Sequence, residues 1–212
     1  MENYNKNLKL LKKNHVYSTE MEHDACGVGV IASTEGKKSR KIVEYGIEAL
    51  KAVWHRGAVD ADGKTGDGAG IHVEIPKDFF IEKIEVTGHD YDNSEICVGM
   101  IFLPKNDYAA QESCKTIVES ELTKNNFSIY GWRQVPVNPK VLGEKAFQTM
   151  PEIIQVLFKP NDLNLLDKKL ERKIYETRKK IENKAFQSSL NNFYICSISS
   201  KSIIYKGLYL AE

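Results

Sequence analysis

Apolar residues follow two different spacings along the chain, and each spacing predicts a kind of element. Apolar positions every three or four residues are typical of a helix with one face on a core, and they predict helices at residues 40–54, 107–124 and 163–181. Pro76 opens a further short helix at residues 76–84. Short apolar or alternating runs predict strands at residues 27–33, 71–75, 95–103, 127–135, 152–158, 193–199 and 202–210.

The order of these elements predicts the fold class. Strands alternate with helices at first, but the last two strands follow one another and predict a hairpin across Ser199 to Ser202. This order favours a layered α+β or α/β fold with a mixed or antiparallel sheet. The chain stops at "LYLAE" directly after a strand, so we expect the domain to be incomplete at its C-terminus.

The net charge and the length of the apolar runs argue against a nucleic-acid-binding protein and a membrane-spanning protein. Lys and Arg number 30 against 29 Asp and Glu, so no net field attracts nucleic acid or an anionic membrane. No apolar run approaches the roughly 18 to 20 residues that cross a bilayer. Residues 1–25 are polar and rich in Lys and Asn, without the apolar region of a secretory signal. We therefore expect a leader or arm at residues 1–25 and a cytoplasmic location.

The spacing of cysteines and histidines indicates neither a disulfide framework nor a metal site. The four cysteines form no C-x-x-C pair, and the five histidines are equally scattered. These residues are Cys26, Cys97, Cys114, Cys196, His15, His23, His55, His72 and His89. We expect no metal site and no cofactor in these 212 residues. Three of the cysteines fall in apolar strands or on an apolar helix face, where cysteine packs as a small hydrophobe.

Cys26 allows two interpretations, because it stands between small residues in "EHDACGVGVIAS". It can be an inert packed residue, which is the usual role of a cysteine at the start of a strand. It can also be a nucleophile, which needs a base to form the thiolate. Cleavage between Ala25 and Cys26 would free an α-amino group with a pKa of about 7.7 to 8.0, which is suited to that task. Gly27 would let the backbone pass close to a substrate.

Four stretches carry a resemblance to a known family. They are "EHDACGVGVIAS", "ALKAVWHRGAVDADGKTGDGAGI", "YGWRQVPVNPKVLGEKAFQTMPEIIQVLF" and "FYICSISSKSIIYKGLYLAE". Together they closely resemble the start of the large subunit of glutamate synthase, whose glutaminase domain is a class II glutamine amidotransferase of the N-terminal nucleophile superfamily. The resemblance covers nearly all of residues 24–212 and implies a four-layer αββα sandwich that is incomplete at its C-terminus.

The resemblance also implies roles for individual residues. Cys26 would be the nucleophile after removal of residues 1–25 as a propeptide, with residues 26–212 forming the N-terminal part of the amidotransferase domain. It would attack the side-chain amide of glutamine, release ammonia and form a thioester that water hydrolyses. Arg56 and Gly57 match the family's Arg-Gly, and Arg56 would either orient groups near the substrate or tie down the loop.

The glycine-rich "TGDGAGI" is better explained as part of this site than as a nucleotide cradle. Its spacing is G-x-G-x-G, and it precedes a strand instead of following one into a helix. We expect a tight backbone shelf near the site, anchored by Asp67.

Other parts of the family's machinery are expected outside this sequence. The resemblance implies that the oxyanion hole and the groups that bind the glutamine backbone lie beyond residue 212, so we expect the fragment alone to be inactive. It further implies partners in the rest of the glutamate synthase chain and a reductase subunit. FMN and an iron–sulfur cluster would be carried by that remainder, and ammonia would be channelled to 2-oxoglutarate. Two alternatives stay open: another N-terminal nucleophile amidotransferase or hydrolase, or a non-catalytic module that keeps the fold.

Overall fold

Six helices and six strands form the described part of the chain in the computed structural model, which covers residues 2–14, 18, 26–208 and 210. The helices are α1 (Glu2–Asn14), α2 (Arg40–Ala52), α3 (Lys77–Val86), α4 (Tyr108–Lys124), α5 (Glu144–Thr149) and α6 (Asp167–Gln187). The strands are β1 (Ala69–Glu74), β2 (Cys97–Leu103), β3 (Phe127–Gln134), β4 (Glu152–Pro160), β5 (Tyr194–Ser199) and β6 (Ser202–Gly207). Short 3-10 turns lie at Trp54–Arg56 and Pro139–Val141. The expected mixture of helices with antiparallel sheets is confirmed.

The larger sheet has four antiparallel strands in the order β3-β4-β2-β5. Its central strand β2 is buried along almost its whole length, as its continuous apolar run predicts. Gly99 in β2 lies opposite Val156 of β4, and a Cβ on Gly99 would sit only 2.7 Å from a Val156 methyl carbon. A larger residue at position 99 would therefore force the Val156 side chain to shift.

Each face of the larger sheet covers its own apolar cluster. One cluster joins alternate residues of β2 and β4, such as Ile101 and Phe158, to the apolar faces of α4 and α6. The other joins the opposite residues, such as Met100 and Leu157, to α3 and to Ile203 of β6. This alternation follows from the two-residue period of a strand, which sends successive side chains to opposite faces.

The smaller sheet pairs β1 with β6, so the predicted hairpin between the last two strands is wrong. β5 and β6 are strands as expected, but they belong to different sheets. Glu171 of α6 holds the turn between them, accepting hydrogen bonds from Ser200 N at 2.7 Å and Ser199 Oγ at 3.0 Å. β6 then lies over the larger sheet instead of beside β5, because that position buries Ile203 completely.

The strand predicted at residues 27–33 is not formed, which corrects the sequence analysis. These residues have no regular secondary structure, and Val28 and Val30 are 90% and 87% exposed. A strand persists only where a neighbour takes its backbone hydrogen bonds, and none of the described strands pairs with this segment. Helices α1 and α5 were not predicted. Within the described residues, no helix combines the length and the apolar character needed to cross a membrane.

Candidate functional site

An open groove of about 1950 Å³ contains the predicted nucleophile. Cys26 is exposed and lines this groove together with Gly27, at the start of the irregular segment 26–33. Gly57 and Asp67 line the same groove. The structure therefore brings four of the five predicted site residues to one surface depression, although they come from separate parts of the chain.

The Asp67 side chain lies close to Gly57. A Cβ on Gly57 would lie 3.3 Å from Asp67 Oδ1 and 3.2 Å from the carbonyl oxygen of Trp54, so any larger residue would press on both. Gly57 N donates to Trp54 O at 2.9 Å, which closes the 3-10 turn after α2. Asp67 N donates to Ala58 O at 3.2 Å. These bonds give the groove a compact backbone wall at Gly57 and Asp67, and its role as a shelf for a catalytic site stays a prediction.

Arg56 is described only through its backbone, which ends the 3-10 turn Trp54–Arg56. Its side chain lies outside the described part of the structure, so its role at the site stays a prediction. The peptide bond between Ala25 and Cys26 also involves a residue outside the described ranges. Cleavage there likewise stays a prediction.

Residues 58–67 form a small hairpin whose polar groups bond to one another. Val59 and Gly66 make an antiparallel bridge, and Asp60 N donates to Thr65 O at 2.9 Å. At the tip, Asp62 Oδ1 accepts from Thr65 N at 2.7 Å, and Asp62 Oδ2 accepts from Thr65 Oγ1 at 2.6 Å. These hydrogen bonds favour the charged carboxylate and hold the pKa of Asp62 well below its usual range.

Asp62 and Thr65 were not predicted as site residues. An available signal was the Asp-x-x-Thr spacing, since a short carboxylate can accept from the backbone two and three residues ahead of it. The residues of α5 that contact this hairpin form no comparable local pattern in the sequence.

The other three cysteines differ from Cys26 in exposure. Cys97, Cys114 and Cys196 are buried, as predicted for packed cysteines. Burial raises the pKa of all three thiols, that of Cys114 to about 11. A thiol with a raised pKa forms little thiolate near neutral pH. Cys26 is the exposed thiol among the four cysteines.

Three asparagines, Asn138, Asn191 and Asn192, also line the groove. Asn138 Oδ1 accepts from Lys140 N at 3.3 Å and so caps the turn Pro139–Val141. None of the three is followed by glycine. The expectation that oxyanion donors lie beyond residue 212 therefore stays a prediction. Among the described residues, no group of three or more His, Cys, Asp or Glu side chains is arranged to hold a metal ion.

Comparison with known proteins identifies the family to which this chain belongs. The chain is 52% identical over 206 residues to the glutamate synthase (NADPH) large chain of Azospirillum brasilense, covering 97% of this chain and 14% of that protein. It is 39% identical over 204 residues to a ferredoxin-dependent glutamate synthase of Pyropia yezoensis, covering 94% and 13%. It is 36% identical over 188 residues to ferredoxin-dependent glutamate synthase 2 of Synechocystis, covering 88% and 12%.

The chain thus spans between 12% and 14% of the length of these relatives. The family model for class II glutamine amidotransferases matches residues 26–212 and begins at the predicted nucleophile. That match covers most of the sequence. The chain belongs to the class II glutamine amidotransferases.

Proposed function

We propose that this chain is part of the glutaminase half of a glutamate synthase and that Cys26 hydrolyses the side-chain amide of glutamine. The observation that carries the proposal is the exposed thiol of Cys26 on the same groove as Gly57 and Asp67. It is supported by the family match, which starts at residue 26, and by relatives named as glutamate synthases. Residues 1–25 would be a propeptide whose removal makes Cys26 the first residue.

The chemistry follows from a free α-amino group on Cys26. This amine accepts the thiol proton, directly or through a water, and the sulfur attacks the amide carbon of glutamine. A carbon–sulfur bond forms, the carbon–nitrogen bond breaks, and the proton leaves with the nitrogen as ammonia. Water then hydrolyses the γ-glutamyl thioester to glutamate and restores the thiol. No side-chain base is required.

The proposed fold is an N-terminal nucleophile αββα sandwich that further strands would complete. Its support is the order of packing in the described residues: α4 and α6 cover one face of the four-stranded sheet, and β6 together with α3 covers the other. α2 lies against β1 of the smaller sheet, where Gly46 approaches Ile71 Cδ1. This order of helix, sheet, sheet and helix supports the proposed layering.

The partners of the proposed enzyme are glutamine, the rest of a glutamate synthase chain and a reductase subunit. Ammonia would be channelled to 2-oxoglutarate for glutamate synthesis, in the cytoplasm. An iron–sulfur cluster does not fit the described residues, since the buried cysteines are dispersed and no metal-binding cluster is present among them. That cluster and FMN would belong to the remainder of the longer chain.

The experiment uses the longer chain, meaning these residues together with the rest of the proposed glutamate synthase chain. It compares glutamine hydrolysis by this longer chain with hydrolysis by its Cys26→Ala variant. We expect the variant to lose at least about a thousandfold in kcat/KM, because the nucleophile itself is removed. Intact mass should show that the active chain begins at Cys26, and diazo-oxonorleucine, a glutamine-analogue electrophile, should label that residue. Full turnover by Cys26→Ala would overturn the proposal. Labelling by a simple acyl electrophile without glutamine turnover would instead favour another hydrolase of this superfamily.

The 212-residue chain provides a second measurement. We expect it to release ammonia from glutamine no faster than its own Cys26→Ala variant. The reason is that loss of even one oxyanion donor costs about a hundred- to a thousandfold. Robust turnover by this chain would contradict the view that the oxyanion donors lie beyond residue 212.

A further inference from the structure

The hairpin of residues 58–67 rests on helix α5, far from it in the sequence. Asp60 Oδ2 pairs with Lys145 Nζ at 2.6 Å, across 85 residues of chain. Thr65 Oγ1 accepts a long hydrogen bond of 3.4 Å from Ala146 N at the start of α5. Thr65 is buried in this contact, whereas most of Lys145 is exposed. One polar contact therefore lies inside the interface and the other at its rim.

Gly143 makes the approach of the two segments possible. A Cβ at this position would collide with Thr65 Oγ1 and with Asp62 Oδ2, and it would lie 2.5 Å from Thr65 N. Cβ atoms do not approach backbone nitrogen so closely, and Thr65 N is already held by Asp62. The hairpin could not keep its place against any residue larger than glycine at position 143.

The hairpin of residues 58–67 and helix α5 each contribute residues to the groove that contains Cys26. The base of the hairpin contributes Ala58 and Asp67, and α5 contributes Ala146, Gln148 and Thr149. A shift of the hairpin away from α5 would therefore change the shape of the groove. Within the described residues, no strand pairing joins segment 26–33 to the hairpin.

We propose that Thr65, Gly143 and Lys145 are positioning residues for glutamine hydrolysis, which hold the hairpin of residues 58–67 as a fixed wall of the groove. This inference rests on the function proposed above. The three residues act through the wall and do not touch the reacting atoms. Their loss should weaken glutamine binding more than it slows the chemical step at Cys26.

The experiment measures glutamine kinetics in the longer chain for two pairs of variants. In Thr65→Ala we expect KM for glutamine to rise about fivefold to tenfold while kcat stays within about twofold, because a misplaced wall weakens binding. Thr65→Ser keeps the hydroxyl and should restore KM. Lys145→Met should raise KM about twofold to threefold, since the ion pair is largely exposed, and Lys145→Arg should reverse this. Lys64→Met removes an exposed charge of the same hairpin and should change nothing.

A second measurement does not depend on glutamine. Amide hydrogen exchange within residues 58–67 of the 212-residue chain should become faster in Thr65→Ala than in Thr65→Ser. Unchanged KM in both Thr65→Ala and Lys145→Met, with Cys26→Ala inactive, would overturn this inference and leave the proposed function standing. Turnover by Cys26→Ala would overturn the proposed function, while the exchange measurement would still decide whether Thr65 holds the hairpin. If Thr65→Ala does not fold, the exposed pair Lys145→Met and Lys145→Arg decides the inference alone.

Discussion

Two walls of the same groove are built in opposite ways. The segment 26–33, which carries Cys26, has apolar side chains in solvent and no regular structure. The hairpin of residues 58–67 has mostly polar side chains, yet its tip is closed by hydrogen bonds that Asp62 accepts from Thr65, and it is anchored to α5. An apolar pattern therefore does not by itself order a segment, whereas satisfied backbone groups can order a polar one.

This difference bears on catalysis. A site is effective when its groups are held in the productive geometry before substrate arrives. The hairpin meets that requirement within the described residues. Segment 26–33 does not, because Val28 and Val30 could be buried only against something that the described residues do not supply.

The largest effect expected from this comparison comes from replacing a valine by alanine, once at a buried position and once at an exposed position. Val156 in β4 is completely buried and Val30 is 87% exposed. Val156→Ala should lower the free energy of unfolding by about 2 to 3 kcal/mol, because two buried methyl groups are lost and a cavity remains. Val30→Ala should change it by less than about 0.5 kcal/mol. Urea unfolding of the 212-residue chain measures both, and equal losses would show that segment 26–33 is packed after all.

A smaller effect is expected from the contact between Gly57 and Asp67. Gly57→Ala would place a methyl carbon 3.3 Å from Asp67 Oδ1 and should lower kcat/KM for glutamine in the longer chain about threefold to tenfold. Gly46→Ala in α2 is the matched control, since its Cβ would meet only Ile71 Cδ1 at an ordinary 3.5 Å. An effect of the same size in both variants would mean that the wall next to Cys26 is not specifically sensitive.

The sequence predicted the elements whose burial is decided locally. β2 and β4 carry apolar side chains on both faces, and their apolar runs were predicted as strands. Helices α4 and α6 were recognised from one apolar face each. Residues 27–33 have the same apolar character, but a strand also needs a neighbour, and the sequence does not show whether one is present.

The relation between distant segments could not be predicted in the same way. The alternation of β5 and β6 is the same whether the two strands pair with each other or face each other across two sheets. At the candidate site, Cys26, Gly57 and Asp67 were identified from the sequence, and the structure brings them to one groove. The ion pair between the hairpin and α5 was not predicted, because Asp60 and Lys145 are separated by 85 residues and neither position is unusual by itself.

The smallest expected effect concerns the pH dependence of the hairpin. Hydrogen bonds from Thr65 and Lys64 hold the pKa of Asp62 below its usual range, so the folded hairpin favours the charged carboxylate. The resulting stabilisation is complete above the unfolded pKa of about 3.9 and is lost as the pH falls through the lower folded value.

Amide exchange at Thr65, corrected for its intrinsic rate, should therefore show constant protection above about pH 4 and a few-fold loss of protection below it. In Asp62→Asn the protection should be lower and should fall less with pH, since Asp60 beside Lys145 is the carboxylate of this contact that still titrates. Gly99 in the buried strand β2 serves as the internal control. A parallel decline of Thr65 and Gly99 would assign the change to unfolding of the whole domain. A decline at Thr65 alone, clearly smaller in Asp62→Asn, would show that the Asp62 carboxylate helps to order this wall of the groove.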